Sequence, residues 1–473
     1  MLRRIAPVVL LLALAGVLLT GCAGAKSGET GQVPESASLA PADALAYVTA
    51  LTDERSDQWK TAASLLGRIP GLQEGLSGVA SESLGKEGVD WTNDVRPALG
   101  PELVVVATAD REPIFLVRPG SQAKLDALLA KGDTTYVRGT VEGWEALARS
   151  QAALDGYRSA LRAGTLDGVT GFRQGFEALP SQSLVRAWVD LSQFSKELGA
   201  VSGEAQGVDL GLDWLSAAVT AKEDGVLLTL GMRTPGDGDT RYEPVLFGRI
   251  PADAVAAVSF GGTQKALDRV QGSVDVDGVA KQIERFTGVP LGRLVDSLSG
   301  EGALYVRKGA KVPEVTLVLA PPDVEKTWST LDDLARKLAE QANARITVRT
   351  EDGREVHRVT YGDVTVSFAR LDADTVIATT GSDGIRAFAS DGPKLVDSDG
   401  YTRAAESVGA TPGERTRGFV YVDLDGVLPL LEATGTDVPQ EARDVLSSLD
   451  SFVLQGTGEG DVAQLQGFLR LND

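Results

Sequence analysis

The sequence predicts an α+β protein built from two tandem related modules, each a mostly antiparallel sheet with helices packed on one face. Three observations lead there. Short runs rich in Val, Leu, Ile and Thr read as strands, and several pair off around tight turns. Other stretches carry apolar residues at helical spacing. Landmarks of the first half return in the same order in the second.

The strand signal is clearest in Val226 to Leu230, Val364 to Phe368 and Val376 to Thr379. The clearest helix runs from Asp323 to Asn343, where Val324, Trp328, Leu331, Ala335, Leu338 and Ala342 form one stripe. Asp323 follows Pro321 and Pro322 and is a candidate N-cap. Further helical stretches are Asp57 to Ile69, Thr263 to Val270, Val279 to Phe286 and the short face of Leu291, Leu294, Val295 and Leu298. Strand runs that end in hairpins favour antiparallel sheets with segregated helices.

The repeat begins with Pro41-Ala42-Asp43-Ala44, which recurs as Pro251-Ala252-Asp253-Ala254. Leu99-Gly100-Pro101-Glu102 before one apolar strand answers to Ser299-Gly300-Glu301-Gly302 before another. Ile114 to Val117 before Pro119 matches Val315 to Leu319 before Pro321. Val185 to Leu191 matches Arg417 to Leu424. Each half closes on a hairpin pattern, around Glu223-Asp224-Gly225 and around Gly458-Glu459-Gly460. Thr234 to Asp239 is the turn-rich seam. The expected modules span residues 41–235 and 245–473.

The N-terminus carries its own signal. Arg3 and Arg4 precede an apolar run, Ile5 to Leu19, that is shorter than the roughly 20 residues a membrane-spanning helix needs. Leu19-Thr20-Gly21-Cys22 then fits a lipoprotein processing site, within a leader that ends in small residues. Residues 1–21 are read as a signal peptide cleaved between Gly21 and Cys22. Cys22 would carry a diacylglyceryl group on its sulfur and an acyl chain of the palmitate class on its new N-terminus. Two chains on one thioether suffice for stable anchoring. Residues 22–40 are polar and aperiodic and are expected to form a flexible tether. The expected location is the extracytoplasmic face of the cell membrane.

Composition narrows the chemistry. The formal charge is −20, or −22 once Arg3 and Arg4 leave with the leader. Such acidity disfavours nucleic acid and anionic headgroups as general partners. Cys22 is the only cysteine and His357 the only histidine, so a disulfide and a multi-histidine zinc site are excluded. No glycine-rich phosphate loop stands between a strand and a helix. Ser121 and Lys124 fit a Ser-x-x-Lys pattern, as do Ser83 and Lys86, but the Ser-Asp-Asn and Lys-Thr-Gly companions are missing. A serine triad would need His357, which lies in an alternating strand and reads as a surface side chain. The pairs Asp275/Asp277, Asp397/Asp399 and Asp423/Asp425 lack the acidic ladder of a calcium loop and read as turn formers and caps. Asp190 and Asp423 end matching strands and are expected to cap. The six tryptophans are expected in the core.

The Pro-Ala-Asp-Ala opening, the late aromatic-valine-aspartate-leucine strand and the duplicated layout behind a lipobox resemble an uncharacterised family of bacterial envelope lipoproteins, a domain of unknown function, from about Leu39 to the end. The resemblance implies an α+β envelope protein and transfers no catalytic residue. A non-enzymatic binding or scaffolding role is therefore expected, without metal or cofactor. The expected partners are the membrane, through Cys22, and an envelope protein or wall component. A carrier of a lipid or apolar small molecule is the alternative.

Overall fold

The computed structural model describes residues 31–70, 91–108, 112–131, 134–194, 211–236, 238–262, 281, 284–285, 287–309, 312–341, 343–361, 364–381, 383–433, 435 and 437–472. Cys22, the leader, Ser83, Lys86, Asp275 and Asp277 lie outside the described residues, as does most of the two helical stretches expected between 263 and 286.

Among the described residues eighteen strands join in one sheet, and every pairing is antiparallel. The first half contributes β1 (Ala46–Leu51), β2 (Glu102–Ala107), β3 (Pro113–Val117), β4 (Val137–Val141), β5 (Trp144–Ala148), β6 (Val185–Asp190), β7 (Trp214–Lys222) and β8 (Gly225–Arg233). The second contributes β9 (Ala254–Phe260), β10 (Glu301–Arg307), β11 (Glu314–Ala320), β12 (Ile346–Glu351), β13 (Arg354–Tyr361), β14 (Val364–Arg370), β15 (Val376–Thr379), β16 (Gly418–Asp423), β17 (Leu449–Thr457) and β18 (Val462–Leu471). The halves meet where β8 pairs with β18, from Val462 opposite Arg233 to Arg470 opposite Gly225. Outward from that pair the order is β7, β6, β1, β2, β3, β5, β4 on one side. On the other it is β17, β16, β9, β10, β11, β15, β14, β13, β12.

The described helices are α1 (Asp57–Leu66), α2 (Arg96–Leu99), α3 (Gln122–Lys131), α4 (Gln151–Ala163), α5 (Thr170–Glu177), α6 (Leu291–Ser297), α7 (Val324–Gln341), α8 (Gly384–Ala389), α9 (Asp399–Ser407), α10 (Leu424–Ala433) and α11 (Gln440–Ser447). They cover both faces of the sheet, which corrects the expectation of one. Leu103, Phe115, Val117 and Leu147 pack against α2 and α3. Their strand neighbours Val104, Ile114, Leu116 and Ala146 point the other way and meet α4 and α5. In the second half Phe368 packs with Ala335 and Ala339 of α7, while Ala369 and Ile377 pack with Phe388 of α8 and Tyr401 of α9. Strands buried on both faces need apolar side chains at every position, and Leu103 to Val106 and Ile114 to Val117 are such unbroken runs.

The expected tether is also corrected over its last part. Glu35–Leu39 forms a 3₁₀ turn whose Ala37 and Leu39 are buried, and Ala40 is buried behind it. Three small or apolar residues in a polar stretch give no period to read, but they are enough to seat the segment on the sheet. Tyr157 donates its hydroxyl to the Leu39 carbonyl, and Leu166 N–H donates to Ala40 at 2.9 Å. The seam is folded as well: Thr234 N–H donates to the Asp461 carbonyl, and Gly236 N–H to the Asp461 carboxylate.

Candidate functional site

On the sheet face that carries α4 and α5, a cleft of about 700 Å³ opens beside the ends of β1, β2 and β6. Residues 34–39 wall one side, the N-terminus of α1 another, and residues 181–183 a third. The local sequence explains the walls. Pro34 starts the 3₁₀ turn, and Ser56 caps α1 by accepting from Trp59 N–H.

Glu102, at the first position of β2, organises the floor. Its Oε1 accepts from Ser36 Oγ at 3.1 Å and from Thr49 Oγ1. Ser36 in turn accepts from the Tyr47 hydroxyl at 2.7 Å. Burial raises the Tyr47 pKa, so the phenol stays a neutral donor. Arg118 places Nη2 4.0 Å from Glu102 Oε2 and lies over the Trp144 ring at 4.2 Å. Arg186 lies over Phe176 at 5.2 Å and spends Nη1 on the Gln32 carbonyl at 3.0 Å. Burial holds its pKa below the ordinary guanidinium value, yet an arginine stays charged. No carboxylate among the described residues forms an ion pair with Arg186. Glu35, Asp57 and Glu142 are exposed at the rim. The arrangement sets the Arg118 and Arg186 guanidiniums around Glu102, with the Trp144 ring beside them and the exposed carboxylates of Glu35, Asp57 and Glu142 at the mouth.

The residues singled out by sequence lie elsewhere. Ser121 Oγ accepts from Lys124 N–H at the start of α3, but the Lys124 ammonium pairs with Asp94 at 3.2 Å. The Lys124 ammonium is thus held by that carboxylate, and among the described residues the Ser121 hydroxyl bonds the backbone of α3. His357 is not the surface side chain expected. Its ring sits 5.1 Å from both Trp328 and Phe368, with Nε2 2.7 Å from Glu355, because α7 covers that face of β13 and β14. Asp190 and Asp423 both cap, accepting from Gln193 N–H and Gly426 N–H. Asp399 opens α9 behind the Ser398 cap, and Asp425 accepts from Asn472. Among the described residues no three His, Cys, Asp or Glu side chains are grouped to hold a metal, and no helix is long and apolar enough to cross a membrane.

Arg118 and Arg186 were not singled out from the sequence because they are far apart in the chain, while Trp144 lies in the core as expected and also offers its ring to Arg118. One signal was present. Arg186 sits in a repeated strand motif where the second half has Phe419, an arginine where the pattern asks for an apolar side chain.

A second glutamate sits at the start of β10. Glu301 accepts from Leu246 N–H, and burial pushes its pKa up from 4.5 to about 7 against the weaker pull of that bond. The folded protein therefore holds this proton more tightly than the unfolded chain. Stability falls as pH rises from about 4.5 to about 7 and is level above that. Glu301→Gln keeps an acceptor for Leu246 and removes the titration. With screening at this partly exposed group, we expect the variant to gain on the order of 1 kcal/mol at pH 8 and nothing at pH 4.5. Urea midpoints at the two pH values check this, and parallel pH profiles for variant and wild type would refute it.

No family model matches the chain, and no curated protein matches it. Solved structures of TP0453 match at low similarity. Crystal form IV is 14% identical with a TM-score of 0.26, covering 50% of this chain and 94% of that one. Crystal form III is 10% identical with a TM-score of 0.24, covering 46% and 86%. These scores carry no argument about function.

Proposed function

We propose that the protein is a lipid-anchored binding protein of the cell envelope, non-enzymatic, held by acylated Cys22 at the extracytoplasmic face of the membrane. Its cleft receives a ligand or an envelope partner close to that surface. The observation that carries the reading is the wall of the cleft itself. Residues 34–39 begin only twelve positions after Cys22, a span of at most about 40 Å of extended chain. The mouth of the cleft is thus tied near the anchor. A wall component or a partner protein at the membrane surface fits this placement. The carrier alternative ranks second because guanidiniums and carboxylates line the cleft alongside Leu39 and Leu51.

The proposal includes two modules, 41–235 and 245–473, descended from one. The strand order supports it, since β8-β7-β6-β1-β2-β3 and β18-β17-β16-β9-β10-β11 run outward alike from the shared pair. Pairing registers refine the match. Ala46 lies opposite Ala107 and Ala256 opposite Val306, which aligns Glu102 with Glu301, one position from the alignment of Gly100 with Gly300. Each glutamate receives hydrogen bonds from the segment that precedes its Pro-Ala-Asp-Ala motif.

The test places a photo-crosslinking side chain at Gln182, exposed at the cleft, and at Lys222, exposed on β7, in living cells. We expect a discrete envelope adduct from position 182 alone, lost when Cys22→Ala frees the protein from the membrane fraction. Equal adducts from both positions, or retention of Cys22→Ala in the membrane, would sink the reading.

A further inference from the structure

We propose that the cleft binds a zwitterionic phosphate ester, its phosphate inward against Arg186 and Arg118 and its ammonium outward among Glu35, Asp57 and Glu142. The inference rests on the reading of the cleft as a binding site and adds the ligand class.

Arg186 carries the first part of the argument. A guanidinium partly removed from water needs an anion, or its desolvation goes uncompensated. Arg186 has one backbone carbonyl and one aromatic face, and it feels the Glu102 carboxylate on the same floor without forming an ion pair with it. Arg118 has Glu102 Oε2 at 4.0 Å, while Ser36 and Thr49 engage Oε1, so one carboxylate is shared between two guanidiniums and the floor keeps a net positive charge. Two forked cations over one cleft floor suit the several acceptor oxygens of a phosphate. Glu35 and Glu142, with Asp57 beside its Lys60 partner at 2.9 Å, give the rim the opposite sign, so a purely anionic ligand is repelled at the mouth. A ligand that also carries a cation satisfies both ends.

The second half supplies an internal comparison. Ala46 lies opposite Val189 and Ala256 opposite Val422, so Arg186 answers to Phe419. Leu103 lies opposite Val117 and Gly302 opposite Leu319, so Arg118 answers to Ala320. Phe419 is buried there, with Leu246 and Phe247 in the same core cluster. The glutamate is kept while both arginines are replaced by apolar residues. Neither the fold nor the glutamate's hydrogen bonds therefore require the arginines, and the two guanidiniums together exceed the single charge of Glu102, which leaves positive charge for a ligand to meet.

Calorimetric titration of the full lipidated chain in detergent, at low salt and pH 7.5, tests this with three probes: inorganic phosphate, O-phosphoethanolamine and dihexanoylphosphatidylethanolamine. We expect saturable binding of phosphoethanolamine, tighter than inorganic phosphate, and weakened about tenfold or more by Arg186→Gln. Arg118→Gln, at a half-exposed side chain, weakens it in the same direction and serves if Arg186→Gln does not fold. Equal affinity for the short-chain lipid and the free headgroup assigns a soluble ligand. A clear preference for the lipid assigns a membrane headgroup. The proposal is overturned if no probe saturates by about 10 mM, if inorganic phosphate binds as tightly as phosphoethanolamine, or if a folded variant binds like wild type. Failure here with the Gln182 adduct intact removes the ligand class and leaves the binding reading standing. Loss of both removes both.

Discussion

Trp188→Ala is expected to destabilise the first half by about 4 kcal/mol. Trp188 is 2% exposed, on the middle of β6. Its ring meets Phe172 edge-on at 5.4 Å, and Phe172 stacks on Phe176 at 4.6 Å, so the indole holds α5 to the sheet. Gly175 makes room for it, since a Cβ there would lie 2.8 Å from the ring. Truncation leaves a cavity that a helix fixed at both ends by Leu166 and Leu179 closes only in part. The indole N–H is buried without an acceptor among the described residues. Trp188→Phe gives up that unsatisfied donor along with some volume, and we expect it to cost less than half as much as the alanine. Urea unfolding followed by near-ultraviolet circular dichroism separates the two. Equal losses for Phe and Ala would mean that the N–H is satisfied, contrary to the geometry. The cleft should weaken with Trp188→Ala too, because Phe176 under Arg186 belongs to the same aromatic cluster.

Local signals in the chain located most of the elements. The stripe from Asp323 to Asn343 became α7, and the two hairpin patterns became β7–β8 and β17–β18. Periodicity identifies an element but not what lies across from it. Leu103 to Val106 reads as a strand on any face, and only the packing of α2 and α3 on one face and of α4 and α5 on the other shows that both sides are covered. His357 looked solvated because its neighbours Glu355 and Arg358 are charged, whereas Trp328, from the helix that precedes its hairpin in the chain, lies over it. The cleft was less legible still. Its floor joins Ser36, Tyr47, Glu102, Arg118, Trp144 and Arg186, and no spacing rule relates them. The repeat held the one usable clue, at Arg186 against Phe419, and it became a clue only after pairing registers aligned the halves.

Leu230→Pro is expected to separate the two halves. Leu230 is 1% exposed on β8, opposite Ala217 on one side and Leu465 on the other. Proline there removes a ladder donor in the middle of a sheet and leaves its buried acceptor unpaired, at a cost of about 1–3 kcal/mol beyond the lost side chain. β8 is the last strand of the first half and its link to β18, so the damage falls on the junction. Five of the six tryptophans precede the seam, and Trp328 alone follows it, on α7 against Phe368. Tryptophan emission of the variant should therefore show an early loss from the first group, while a chain keeping only Trp328 should retain a late transition. Limited proteolysis should cut between 234 and 240 and leave the second half intact. Such a result supports two modules that fold apart and were joined edge to edge. A single concerted loss that includes Trp328 would mean that β18 cannot hold its own half once its outer neighbour is gone. The eighteen strands would then be one folding unit, and the boundary at the seam would mark ancestry without independence.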